Sequence, residues 1–181
     1  MSILKVDEIQ DTAGKKILQN TGGILQVVSD TFSGTESSTS LASSGSFTNS
    51  SLSASITPTS SSSKILIIAM VNVGGSNAGD GSPILRLVRG STAIAIGDSA
   101  SNRTLATNGR SSEGMGNNTI ETVTINWLDS PSTTSATTYT VQFAARGTGS
   151  QTAYINRTHN DNNTAEYQRT ASCLTLIEVS G

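Results

Sequence analysis

Cysteine is nearly absent: the 181 residues hold one, Cys173. A lone thiol excludes an intrachain disulfide and a cysteine-based zinc site, so stability has to come from packing within the chain or between subunits. Aromatics make up 4% of the chain and charged residues 13%. With a formal charge of -2 and scattered Lys and Arg, no basic face forms for a phosphate backbone, and nucleic acid is not an expected partner. No apolar run approaches the roughly 20 residues that span a bilayer, so membrane insertion is not expected either. The opening Met1-Ser2-Ile3-Leu4-Lys5 lacks both the charged and the apolar regions of a secretory signal.

What the chain has in abundance is small hydroxyls, with 30 Ser and 25 Thr. A polar, lightly charged chain of this kind would be disordered if it also lacked β-branched apolar runs. It has them, in Ile65-Leu66-Ile67-Ile68, Val123-Thr124-Ile125 and Leu174-Thr175-Leu176-Ile177. The length suits one domain with a sizeable core.

Residues 1–22 stand apart. Leu4, Val6, Ile9, Ile17 and Leu18 are apolar among charged neighbours, and Thr12-Ala13-Gly14 interrupts them. Helical and strand spacing both fit this segment. Its few apolar side chains cannot form a core alone, so they are expected to bury against other subunits or another protein; docking on their own domain is the plainer alternative. Residues 23–181 read as strand, turn, strand. Expected strands cover 24–28, 47–56, 65–73, 83–88, 92–96, 120–128, 138–145, 151–157 and 171–179. The tracts 33–46 and 98–118 are expected to connect them. In the strand from Ile65 to Val73 both faces are apolar, so cover is expected on both sides, from a second sheet or a neighbouring subunit. Arg89-Gly90-Ser91 marks a tight hairpin, and Asp129-Ser130-Pro131-Ser132 and Gly147-Thr148-Gly149 mark turns. About nine short strands with period-2 alternation and no helix predict an all-β fold, an antiparallel β-sandwich of jelly-roll type or a related barrel.

Chemistry-bearing constellations are missing from the sequence. His159 has no second His or Cys nearby, and no serine sits in a Gly-x-Ser-x-Gly elbow. The acids nominate no pair for glycoside hydrolysis. The glycine-rich 74–81 lacks the Lys of a phosphate loop, and EF-hand spacing is absent. No catalytic, cofactor-binding or metal-binding residue is therefore assigned, no cofactor is expected, and the chain is expected not to be an enzyme. Three polar loops remain as surfaces for contact with a host glycan or protein, through Asn77, Asp80, Arg103, Asn108, Arg110, Asn117, His159, Asn160 and Asp161.

The opening Ile3-Leu4-Lys5-Val6-Asp7-Glu8-Ile9-Gln10-Asp11-Thr12-Ala13-Gly14 resembles the N-terminus shared by virion structural and fibre-like proteins of marine bacteriophages, cyanophages above all. In that family it precedes diverse β-rich domains. The rest is similar to a module of such proteins through Thr57-Pro58, Leu85-Arg86-Leu87-Val88-Arg89-Gly90-Ser91-Thr92, Trp127-Leu128-Asp129-Ser130-Pro131, Tyr154-Ile155-Asn156-Arg157 and Leu174-Thr175-Leu176-Ile177-Glu178-Val179. Its strand order and apolar last strand also resemble trimeric jelly-rolls of the complement-C1q and tumour-necrosis-factor type. The resemblance implies a virion protein, a homotrimeric tail fibre or spike that contacts the host. Its residues 1–22, through Leu4, Val6, Ile9, Ile17 and Leu18, would then grip other virion proteins. A head fibre or capsid decoration protein is the alternative within that class, and a carbohydrate-binding module the alternative outside it.

Overall fold

The computed structural model describes residues 8–10, 12–13, 16–19, 23–75, 81–110, 116–147 and 149–181. The expected site residues Leu4, Val6, Asn77 and Asp80 lie outside them. In chain order the strands are β1 (Glu8–Gln10), β2 (Lys16–Gln19), β3 (Ile24–Phe32), β4 (Glu36–Ser38), β5 (Thr48–Ile56), β6 (Lys64–Gly75) and β7 (Pro83–Arg89). There follow β8 (Thr92–Ile94), β9 (Asn108–Gly109), β10 (Ile120–Asp129), β11 (Thr137–Ala145), β12 (Ala153–Ile155) and β13 (Ser172–Val179).

The apolar run of β6 makes it the axis of one sheet. β10 pairs antiparallel along one flank, with Val123 opposite Val71 and Ile125 opposite Ala69. The other flank is divided: β13 runs beside Lys64–Met70, and β12 takes over beside Val73–Gly75. β3 extends the sheet from β13, and β4 extends it from β12. The facing sheet has the order β5-β11-β7-β8, with β9 also paired to β7. The longer strands β3, β5, β6, β7, β10, β11 and β13 alternate between the two sheets along the chain, the arrangement of an antiparallel jelly-roll sandwich.

Alternation places the core. Ile65, Ile67, Val71 and Val73 from β6 and Leu174 and Leu176 from β13 meet Leu52, Leu85, Leu87, Tyr139, Val141 and Phe143 of the facing sheet, all of them buried. Each such side chain contributes about 1.5–3 kcal/mol over an exposed position. Gly74 is required where it is, because a Cβ there would collide with the carbonyl oxygen of Arg157. At the β7–β8 hairpin Gly90 adopts a φ of 59°, a left-handed conformation that glycine enters without steric cost.

Several expectations need correction. The strand expected over 151–157 shrinks to Ala153–Ile155, because Asn156 turns to a φ of 60° and leaves the ladder. The strand expected at 92–96 ends at Ile94, and Ala95 has a φ of 54°. The tracts expected to be plain connections carry β4, β9 and a 3-10 turn, Ala42–Ser44. The second sheet covers β6 on one face only. Within this chain Ile68 and Met70, on the other face, are 43% and 41% exposed. Residues 8–10 and 16–19 form strands and not a helix, paired antiparallel with Ile9 opposite Leu18 as a separate two-stranded sheet.

Candidate functional site

The outer face of the β3-β13-β6-β10 sheet is built in rows by its register. Val27, Ile177, Leu66 and Leu128 form one row across the four strands. Ser29, Thr175, Ile68 and Asn126 form the next, followed by Thr31, Cys173, Met70 and Thr124. Not one of these twelve positions is charged. Val27 is 56% exposed and Leu128 49%, and the exposed Ile24 and Leu25 continue the patch along β3. Cys173 is the one thiol among these positions, and the other polar groups are four hydroxyls and one amide, with no carboxylate or imidazole among them. What such a face can do is bury itself against another apolar surface, the property that separates interaction sites from ordinary protein exterior.

The expected contact residues fall into separate groups. One group forms because β6, β10 and β12 end close together. There Asn160 donates from its backbone nitrogen to Asn117 O at 3.0 Å and from Nδ2 to Asn118 Oδ1 at 2.8 Å. His159 packs edge-on against Tyr154, with centroids 5.5 Å apart, and Arg157 lies over the same tyrosine ring. Asp161 receives Arg169 Nη2 at 2.6 Å and Arg157 Nη1 at 3.3 Å. Arg110 is paired with Glu121, its Nη2 at 2.7 Å from Oε1. Asn108 donates from Nδ2 to Thr124 O at 2.7 Å and so ties β9 against β10. Most of these polar groups hold the loops in shape. Arg103 lies elsewhere, in a concavity with Arg86 and Phe47.

Two buried carboxylates are structural. Glu178 is fully buried and receives Gln26 Nε2 at 2.6 Å, Thr59 N at 2.7 Å and Thr59 Oγ1 at 2.8 Å. Burial by itself raises its pKa; donors led by Gln26 outweigh that and bring it to about 2. Asp129 receives two bonds from Arg89 Nη1, at 2.8 and 3.0 Å, and one from Tyr139 Oη at 2.7 Å. Burial first, and then this carboxylate, push the Tyr139 phenol far above its ordinary value. The signal for both acids was available in the sequence, since each sits at a core-facing parity of its strand. Among the described residues no three His, Cys, Asp or Glu side chains gather as a metal site.

Fold and surface together define a jelly-roll sandwich with one outer face whose central rows carry no charge. No protein-family model matches the sequence, and no curated protein does. Among solved structures, a chain of "Structure of infectious bursal disease virus Gx strain" aligns with 97% of this chain and 44% of its own length, at 13% identity and a TM-score of 0.38. This chain thus spans less than half of that one. So loose a superposition carries no argument, and the fold assignment rests on the sheets described above.

Proposed function

We propose that this chain is a non-enzymatic structural protein of a virion: a homotrimeric jelly-roll of a bacteriophage tail fibre or spike. In this reading residues 1–22 attach it to other virion proteins and its loops face the host surface. The observation that carries the reading is the outer face of the β3-β13-β6-β10 sheet, where Val27, Ile177, Leu66, Leu128, Ile68 and Met70 share a surface without charge. Leaving so many large apolar side chains in water is unfavourable by about 25 cal/mol per Å², and a closed ring of copies removes them together. The resemblance of residues 3–14 to phage virion proteins supports the attachment role. A head fibre or capsid decoration protein would use the same self-association and differ only in what residues 1–22 grip.

Light scattering on the purified full chain should give three times the 18.6 kDa chain mass. The variant Ile68→Asp, which puts a carboxylate into the centre of the face, should run as a monomer with an unchanged far-UV spectrum. A chain starting at Gly23 should remain trimeric. A monomeric full-length protein would sink the proposal.

A further inference from the structure

The opposite outer face, on the β5-β11-β7 sheet, carries a polar row. Register aligns Asn49, Gln142 and Arg86 across the three strands. Gln142 Nε2 donates to Asn49 Oδ1 at 2.7 Å, and Arg86 Nε donates to Gln142 Oε1 at 2.9 Å. The Gln142 amide is therefore committed on both sides, and it fixes the plane of the guanidinium. Phe47 supports that plane, with the Arg86 guanidinium carbon 4.0 Å from its ring centroid. Among the described residues, Arg86 Nη1 and Nη2 donate to nothing, and no carboxylate pairs with them.

Arg86 also lines a concavity of about 270 Å³ between the Ala42–Gly45 turn and the segment 101–105. A second guanidinium, Arg103, lines it, and among the described residues its side chain reaches only Ala100 O, at 3.4 Å. No acid is on the lining. Asn102, Ser43 and Thr104 supply an amide and two hydroxyls, and Thr104 Oγ1 pins the wall by donating to Ala42 O at 3.1 Å. Two guanidinium groups on one lining, with no acid among the lining residues, suit an anion. An arginine that has spent Nε and kept both terminal nitrogens presents the fork that matches two oxygens of one anion.

We propose that this pocket binds the anionic group of an acidic saccharide, with Arg86 Nη1 and Nη2 gripping a carboxylate or sulfate ester and Asn102, Ser43 and Thr104 meeting ring hydroxyls. The volume lies just below the roughly 300–1,000 Å³ of drug-sized ligand pockets, which suits one sugar unit of a longer chain. The inference rests on the host-contact part of the function proposed above and gives it a site and a ligand class.

The test is calorimetric titration of the full chain with four probes: an oligogalacturonate, a sulfated galactan oligosaccharide, a neutral galactan oligosaccharide and inorganic sulfate. The acidic oligosaccharides should bind and the neutral one should not; the stronger of the two acidic ligands tells carboxylate from sulfate ester. Arg86→Gln should weaken binding at least about tenfold, since it removes hydrogen bonds to a charged group. Arg103→Gln, in a loop and free of the strand ladder, should weaken it several-fold, and Arg169→Gln should leave it unchanged. Equal affinity for neutral and acidic chains overturns the inference. So does binding that survives both Arg86→Gln and Arg103→Gln, binding lost only with Arg169→Gln, or binding of inorganic sulfate alone. Solution mass reports separately on the trimeric virion reading. A trimer that ignores every saccharide removes this pocket and leaves that reading standing, and a monomer that binds them does the reverse.

Discussion

Glu178 and Asp129 are acids that the fold has taken out of water and surrounded with donors, and each makes a prediction at its own site. The pKa of Glu178, about 2 when folded, is depressed below the roughly 4.3 of a free glutamate. Its contribution is therefore fully present above about pH 4.5 and is lost as the pH falls from there toward 2. Thermal midpoints of the wild type should drop across that window. Glu178→Gln should unfold at lower temperature at pH 7 and show a shallower drop in acid; parallel acid profiles for the two proteins would assign the loss to other groups. At Asp129 the Tyr139 hydroxyl donates at 2.7 Å in a fully buried setting. Tyr139→Phe should cost about 1–3 kcal/mol in denaturant titration, because Arg89 keeps its hold on the carboxylate while one charged hydrogen bond is lost.

Among the elements, the short β12 and the corner after it show what holds the two halves of the larger sheet together. Asn156 is fully buried, and its Nδ2 donates to Phe32 O at 2.8 Å and Gly34 O at 2.9 Å. Its Oδ1 accepts from Ser172 Oγ at 2.7 Å, so one side chain joins β12 to the ends of β3 and β13. Asn156→Gly removes these bonds and keeps the left-handed backbone accessible; Asn156→Ala removes them and adds roughly 1–2 kcal/mol of backbone strain. Chemical denaturation should rank wild type above Gly and Gly above Ala, and equal losses would mean that the backbone conformation relaxes. The long strands were legible in the sequence because apolar residues alternate along them, as in Ile65, Ile67, Ala69, Val71 and Val73. β4 (Glu-Ser-Ser) and β9 (Asn-Gly) were not, because neither carries an apolar alternation and both exist only where a partner strand offers them hydrogen bonds.

At the scale of the molecule, the two sheets divide the surface into an apolar outer face and a polar one. Cys173 lies in the apolar face, in register with Met70 on β6 and Thr31 on β3. If copies meet there, maleimide labelling of Cys173 should be slow in the wild-type assembly and fast in monomeric Ile68→Asp; equal rates would place the contact elsewhere. The two-sided apolarity of β6 could be read from residues 65–73, but not which side its own second sheet would take. In the fold the facing sheet packs on the side of Ile65, Ile67, Val71 and Val73. The candidate loops were chosen from polarity alone, and polarity does not reveal that Asp161 is held by Arg157 and Arg169 or that Asn160 is held by residues 117 and 118. Of the Arg86 pocket, the sequence pointed only to Arg103, as part of a polar loop. Arg86, Phe47 and Arg103 are far apart in the chain, and only strand register and the 3-10 turn bring them to one concavity. The sequence by itself determined the all-β class and the inward parity of each long strand, because period-2 burial is a local property of the chain. Tertiary structure alone decided which surfaces stay apolar and which charges stay unpaired, because both depend on partners that arrive from distant strands.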